Sequence, residues 1–392
     1  MSEHHTATLS SDEKRRGIIS AIASLTAVAI GLGASLPLLA LALERQGETP
    51  FMIGLNATAA AIGGLLITPL LPSLMRMMKT RALLLTALWI SISCMLAFYL
   101  LPNIWFWFPI RFLNGAMLVI LFVLSETLIN QLADENSRGR LMGVYATVLS
   151  VGFAIGPGIL LIVGGQGFAP YAVIACLMAL ASIPIWLAGP ATSQISAHGQ
   201  SHGVFAFVRI VPTATLAAFT FGALEQGTFT LMPIYGLRVG LDEHMAALML
   251  SAFAAGNILS QIPLGMLADK FNRRLVLTGC AFVGGAAITM LPLVQGTIFV
   301  FPVIFVFGGV TAGLYTVGLT LLGQRVKGAD LAAANAAFIM MYNFGGLAGP
   351  AIGGTAMQAI PPHGLPLAFA AIAFTYAIFA AMRYAKFRNA AK

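Results

Sequence analysis

Gly152-Phe153-Ala154-Ile155-Gly156-Pro157 and Gly345-Gly346-Leu347-Ala348-Gly349-Pro350 carry one pattern, Gly-x-x-x-Gly-Pro, written twice at an offset of 193 residues inside long apolar runs. The same offset, without gaps, pairs Gly63 with Gly256 and Arg81 with Arg274, and lays the loop Asp134–Arg140 over Lys327–Ala333. A coincidence among Gly-rich helices is the plainer explanation. Landmarks that agree at one offset argue instead for a duplicated chain, and the polar stretch Gly189–Gly203 falls where two halves would be joined.

The composition says what surrounds those halves. Of 392 residues, 59% are hydrophobic and 9% are charged, against about 25% charged in an ordinary soluble domain. So few charges cannot cover the surface of a chain this size, so most of that surface must meet hydrocarbon. The forty-one glycines fit the same reading, because small residues let membrane helices approach closely. The three cysteines, Cys94, Cys176 and Cys280, lie inside apolar runs with no metal-ligand spacing, and packing is their simplest role.

Runs of about 20 apolar residues predict twelve spans, near 17–43, 51–74, 82–101, 104–132, 140–165, 170–188, 211–236, 245–267, 275–294, 297–323, 331–358 and 365–384. The expected organisation is a cytoplasmic tail (1–16), a six-helix bundle (17–188), a cytoplasmic linker (189–210), a second six-helix bundle (211–384) and a short tail (385–392). No small-residue cleavage site follows the first apolar run, which predicts an uncleaved first span. The net charge of +8 sits in short clusters between the spans rather than on one basic face, which is loop topology and not a nucleic-acid surface. With the N-terminus inside, eighteen Lys and Arg fall on the cytoplasmic side and two, Arg45 and Arg238, outside, with Arg111 within a span. The positive-inside rule then places both termini in the cytoplasm, in a bacterial inner membrane.

Gly265-Met-Leu-Ala-Asp269-Lys-Phe-Asn-Arg273-Arg274 follows the eighth span. It resembles the cytoplasmic loop signature of the major facilitator superfamily, and the resemblance extends over the whole chain. Gly265 would permit close helix approach, while Asp269 can accept hydrogen bonds from a helix N-terminus or from basic residues across the loop. The first-half copy departs from the pattern, with Pro72 at the Gly position and Arg76 at the Asp position. Arg111-Phe-Leu-Asn-Gly115 matches the family's fourth-span Arg-x-x-x-Gly element, and Gly152…Gly156-Pro157 its fifth-span element, which tilts toward antiport. Glu126 before Arg138-Gly-Arg140, and Glu225 before Leu231-Met-Pro233-Ile-Tyr235, are similar to the YcaD-like bacterial group. The resemblance implies an all-α membrane protein, with twelve transmembrane helices as two six-helix repeats that rock about a site held between them. It also implies that the first, fourth, seventh and tenth spans line the central passage, and that the protein is a monomer.

A charge at mid-membrane costs roughly 2.5–3.5 kcal/mol or more, so each one requires a reason. The spans hold Arg111, Glu126 and Glu225, all on lining spans by that resemblance. Arg111 and Glu126 stand fifteen residues apart on one helix, about 22 Å at a rise of 1.5 Å per residue, and cannot pair. Glu225 is the expected proton-coupling carboxyl, the alternative being a structural Glu bonded to a neighbouring helix. Glu126 lies nearer the cytoplasmic end, and its alternative is a tie to Arg138 or Arg140. Arg111 would bind an anionic group or meet a carboxylate of the other half, such as Glu225. Asn114, Gln226, Tyr235 and Tyr315 are candidate lining residues, with Phe122, Phe229 and Met232 as apolar lining or simple packing. Asn56, Asn257, Gln261, Asn335 and Asn343 read as hydrogen-bonding glue between helices.

Other classes find little support. No phosphate-binding loop of an ATP-driven pump occurs, and the His residues form no metal or nucleophile constellation, so neither an enzyme nor a cofactor is expected. The expected function is secondary active transport of a small organic, neutral or amphipathic solute, as proton-coupled efflux. Proton-coupled uptake and a non-transporting sensor are the alternatives.

Overall fold

Apolar runs without interior turn signals become helices because a lipid-facing backbone must satisfy its own N–H and C=O groups. The computed structural model describes residues 11–132, 138–188, 208–326 and 330–390, and among them there is no strand. The helices are α1 Ser11–Arg45, α2 Pro50–Ile67, α3 Leu71–Met77, α4 Thr80–Leu100, α5 Ile104–Leu132, α6 Arg138–Val163, α7 Ala169–Leu180 and α8 Ser182–Leu187. They continue with α9 Pro212–Arg238, α10 Glu243–Lys270, α11 Arg273–Val294, α12 Val300–Arg325, α13 Asp330–Ala359 and α14 Gly364–Ala390. Nine spans among the described residues are long and apolar enough to cross a membrane. Outside that set, α6, α9 and α13 hold 26, 27 and 30 residues, each beyond the roughly 20 that a span needs.

Two predicted spans are broken where proline acts. Pro69 and Pro72 split the second span into α2, a 3₁₀ turn at Thr68–Leu70 and α3. The sixth divides at Ala181 between α7 and α8. Pro184 has no N–H for the carbonyl four residues back, which weakens the helix there.

The described residues form two compact units. The first draws on the described residues within Met1–Ser35, Gly63–Gly156 and Phe168–His198, and the second on those within Leu36–Ile62, Pro157–Gly167 and Gly199–Lys392. In the first unit, a Cβ on Gly63 of α2 would strike the Phe112 carbonyl of α5. In the second unit, a Cβ on Gly256 of α10 would strike the Phe305 carbonyl of α12. Both members of that contact are separated by the offset of 193 that relates the two halves of the sequence. Gly152 and Gly156 of α6 likewise press on Ala29 and Gly33 of α1, and Gly345 and Gly349 of α13 press on Phe219 and Ala223 of α9. The duplication is therefore present in the helix packing as well as in the letters.

Within the second unit the end of α1 is tied to α9 and α10. Arg238 forks onto Glu44, with Nε 2.8 Å from Oε1 and Nη2 3.2 Å from Oε2. Arg45 forks onto Glu243, at 2.8 Å from Nε and 2.6 Å from Nη2, and donates to the Gly165 carbonyl at 2.5 Å. Gln166 adds a bond to Glu243 at 3.1 Å. Arg45 and Arg238 are themselves 193 residues apart. Nearby, the Thr58 hydroxyl donates to the Leu347 carbonyl at 3.0 Å, and Gly54 and Gly354 let α2 and α13 meet backbone to backbone.

This packing makes glycine substitutions separable by position. Gly256→Ala is expected to lower the thermal midpoint in detergent, at about 1–3 kcal/mol for an overpacked seam with no flexible neighbour to yield. Gly265→Ala, whose Cβ meets nothing within 4 Å, is expected to leave it unchanged or slightly raised. Arg238→Glu is expected to cost up to about 1 kcal/mol, and Glu44→Arg in the same chain to recover part of the loss, read as a double-mutant cycle of midpoints.

Candidate functional site

Helix α9 carries Glu225 thirteen residues from either end of Pro212–Arg238, about 20 Å from each by helix rise. A glycine seam brings α13 against it. Gly222 of α9 lies on the Tyr342 carbonyl, and a Cβ on Gly346 of α13 would meet Gln226 Cγ at 3.0 Å. With the backbones this close, the Tyr342 hydroxyl reaches across and donates to Glu225 Oε2 at 2.7 Å. Gln226 Nε2 donates to the same hydroxyl oxygen at 3.0 Å. Tyr342 therefore has its proton committed to the carboxyl and a lone pair committed to the amide, which fixes all three side chains.

Aromatic rings surround that group. Tyr342 lies 5.8 Å from Phe221 and 5.9 Å from Tyr315, centroid to centroid. Tyr315 lies 5.5 Å from Phe221 and 5.1 Å from Phe338. Phe338 and Phe221 are buried, while Glu225, Gln226, Tyr315 and Tyr342 are half-buried. This is a polar, partly open face at the middle of a membrane-length helix. Lipid contact would be costly for a carboxyl at that depth, so the face fits a passage that admits water or solute.

The remaining predicted residues make none of these contacts. Arg111 of α5 lies in the first unit, 3% exposed, with its Nε lacking a hydrogen-bond partner among the described residues. Glu126 is half-buried on α5, six residues before Leu132. The side chains of its expected partners, Arg138 and Arg140, lie outside the described residues, as does much of the loop Asp134–Arg140. Asn114 is 2% exposed and accepts a bond from Ser91 of α4 at 2.5 Å. Tyr235 is fully buried, with its hydroxyl 3.4 Å from His363 Nδ1. Neither of these two reaches an open surface in this structure. Asn257 and Gln261 bond to each other at 3.1 Å along one helix, and Asn56 is buried with neither amide atom bonded among the described residues. Among the described residues, Asn114 makes an interhelical bond of the kind expected of Asn56.

In the signature loop, Asn272 caps α11 by accepting from the Arg274 N–H at 3.0 Å. Asp269 lies 3.6 Å from Arg273, which also donates to the Thr320 carbonyl at 3.2 Å. The Asp269 side chain is 75% exposed, so it holds a basic residue of its own loop and little else. Gly265 makes no close approach here; that work falls to Gly256, about two and a half turns earlier on the same helix. Pro157 and Pro350 sit inside α6 and α13, each directly after the second glycine of its pair.

Sequence reading misses Tyr342, the group that holds Glu225. The available signal is a phenol within a span, three residues before Gly345, because a hydroxyl at membrane depth requires a partner. It also misses Glu44 and Glu243, to which Arg45 and Arg238 point as the two basic residues that the charge count sets apart from the rest.

Comparison with known proteins agrees with this architecture. The family model for the Major Facilitator Superfamily matches residues 21–243 and 214–390. The uncharacterized MFS-type transporter YfkF of Bacillus subtilis (strain 168) is 29% identical over 343 residues, 83% of this chain and 85% of the relative. An uncharacterized MFS-type transporter of Enterobacter sp. (strain 638) is 25% identical over 92% of this chain and 94% of its own length. YcaD of Salmonella paratyphi B is 26% identical over 69% of this chain and 71% of its own. Among solved structures, the nucleoside transporter NupG superposes with a TM-score of 0.72 at 13% identity, covering 95% of this chain and 97% of that one. A bacterial homolog of the human lysosomal transporter Spinster, inward-facing and unoccupied, gives 0.76 at 13% identity over 96% and 97%. At these identities the structures speak for the fold alone.

A pair of substitutions separates structural from functional polar groups. Asn114→Ala is expected to lower the thermal midpoint, at about 1–3 kcal/mol for a buried hydroxyl left without its acceptor. Glu225→Gln keeps an acceptor for Tyr342 and removes a buried charge, so its midpoint is expected to equal or exceed wild type.

Proposed function

The chain belongs to the Major Facilitator Superfamily, and we propose that it exports a small organic, neutral or amphipathic solute by alternating access, in exchange for protons loaded and released at Glu225. Membership of the family makes it a multi-pass membrane transporter of a small-molecule substrate. The direction, the proton and the residue are our reading, as are a bacterial inner-membrane location, cytoplasmic termini and a monomeric state.

One observation carries the proposal: a carboxyl at the midpoint of α9, half-buried and held by the neutral donor Tyr342. Such a carboxyl can lose its charge to a proton when the passage closes and regain it on the other side. Each proton brings about 2.3 kcal/mol per 100 mV, enough to drive a useful solute gradient. Gln226 and Tyr342 keep the carboxyl in one orientation across that cycle. Arg111, with a buried Nε unbonded among the described residues, is the first unit's candidate for a second charged station, and Glu126 for a third.

Alternating access needs an end that closes and reopens. The Arg45–Glu243 and Arg238–Glu44 forks tie α1 to α9 and α10 at the end that the charge count assigns to the outside. We read them as a latch that breaks when that end opens. Partly exposed ion pairs suit this role, since each contributes only a few tenths to about 1 kcal/mol.

Purified protein in liposomes with an internal pH indicator tests the reading against a panel of organic solutes. Solute-dependent proton movement in the wild type, lost in Glu225→Gln, is the expected result. Solute movement at the wild-type rate without proton flux would remove Glu225 from the coupling role.

A further inference from the structure

We propose that the cleft between the N-terminal end of α1 and helix α8 binds an anionic phospholipid, with its phosphate on Arg16 and one acyl chain between the two helices. The inference goes beyond the transport reading and needs only that the chain spans a membrane, which its family membership supplies. With the termini oriented as proposed above, the lipid comes from the cytoplasmic leaflet.

The cleft lies within the first unit. It encloses about 350 Å³ and is lined by Arg16 and Ile19 of α1 and by Pro184 and Leu187 of α8. The members of each pair are three residues apart and so share one face of their helix. Arg16 stands near the start of the span Asp12–Arg45, and Leu187 closes the span Ala169–Leu187. Arg16 and Leu187 therefore sit at the membrane surface, with Ile19 and Pro184 one turn deeper, about 4.5 Å by helix rise. Apart from Arg16 the lining side chains are apolar. That is the order of groups along a phospholipid, with charge at the surface and hydrocarbon beneath.

An independent marker sets the level of that surface. Trp186, beside Leu187 on α8, is 64% exposed, and the Arg81 guanidinium of α4 lies 5.7 Å from its ring centroid. Tryptophan gathers where hydrocarbon meets headgroups, and basic residues flank the spans there. A cation over an indole face is favoured in such a place. The last turn of α8 therefore stands at phosphate level, and Arg16 faces the same level across the cleft.

Charge selects the lipid. Arg16 is exposed and makes no ion pair among the described residues. The stretch 189–207, which continues the chain from α8, contains no Asp or Glu. Lys14, Arg15 and Arg16 at the start of α1, with Lys79 and Arg81 at the start of α4, outweigh Asp12 and Glu13 in the first turn of α1. A guanidinium matches phosphate oxygens two at a time. A zwitterionic lipid offers the same phosphate, but the basic surplus repels its ammonium, whereas an anionic headgroup gains from each basic residue nearby. Inorganic phosphate has the charge and nothing to place between the apolar walls.

Native mass spectrometry of the full-length protein in detergent tests the site, with dioleoyl phosphatidylglycerol and dioleoyl phosphatidylethanolamine titrated separately. Saturable retention of phosphatidylglycerol is expected, several-fold tighter than that of the zwitterionic lipid and unaffected by millimolar inorganic phosphate. Arg16→Gln is expected to weaken it about five- to tenfold, the loss of one basic contact with an anionic headgroup, and Arg16→Lys to keep most of it. Arg15→Gln removes the same charge from an exposed neighbour outside the cleft and is expected to change little. Leu187→Trp, which fills the cleft and leaves every charge in place, is expected to weaken retention several-fold. If its thermal midpoint falls below wild type, Ile19→Trp fills the cleft from the other wall. Equal retention of the two lipids, an equal loss in Arg15→Gln, or full retention in a filled cleft overturns the proposal. So does displacement by phosphate, which marks a plain anion site, or a second copy of the chain held in place of lipid. Retention is read without any transported solute, so these outcomes leave the export reading untouched.

Discussion

Lipid chains are as apolar as leucine, so burying leucine drives two membrane helices together only weakly. Close contact has to come from shape, and in this protein it comes from glycine. Where a Cβ would collide with a facing carbonyl, as at Gly63, Gly256, Gly345 and Gly349, the backbones approach far enough for dispersion to act along the seam. The site itself depends on that constraint. The α9–α13 seam is what lets a phenol on one helix reach a carboxyl on the other. A wider interhelical distance would leave Tyr342 and Glu225 each with an unmet polar group at membrane depth. The packing element and the chemical element are thus one feature, and a substitution in the seam is felt at the carboxyl.

The duplication gives the same logic a symmetry. Contacts at Gly63 and Phe112 recur at Gly256 and Phe305, and the arginines that end the first helix of each half, Arg45 and Arg238, both enter forked ion pairs. The halves are nonetheless unequal where chemistry is concerned. The position of Glu225 corresponds to Leu32 in the first half, and that of Gln226 to Gly33, at the same offset. Gly33 is spent on the backbone contact with Phe153 of α6. One copy of the helix pair keeps the close seam, while the other combines a seam with a carboxyl and an amide. A carboxylate is costly at that depth, and a second copy would add repulsion without adding a partner.

Depth along a helix is legible in the sequence, and the direction a side chain faces is not. Apolar run length locates the spans to within a few residues, because the requirement is a one-dimensional length. Proline breaks inside two of them are blurred, since an apolar run continues through Pro72 and Pro184. Glu225 is identified by cost alone. Its partner is not, because Tyr342 becomes relevant only when α13 turns that face toward α9. The same limit explains Asn114 and Tyr235. Both sit on helices that carry charged candidates, yet one faces Ser91 and the other His363. Gly265 shows the converse, a motif glycine with open space where contact is expected.

The ion pairs at the end of α1 follow a different physical logic. Counting Lys and Arg treats Arg45 and Arg238 as two exceptions to a rule that eighteen others obey. Exceptions of that kind need a local carboxylate, and Glu44 and Glu243 supply it from the ends of neighbouring helices. A pair made by one residue of α1 and one of α10 depends on how those ends meet, and so it exists only while they meet. Glycine seams are of a different kind, since they bury backbone against backbone and offer no polar alternative when separated. A transporter that must alternate therefore needs both: seams that stay closed to hold each helix pair, and water-accessible ion pairs weak enough to part and re-form in each cycle.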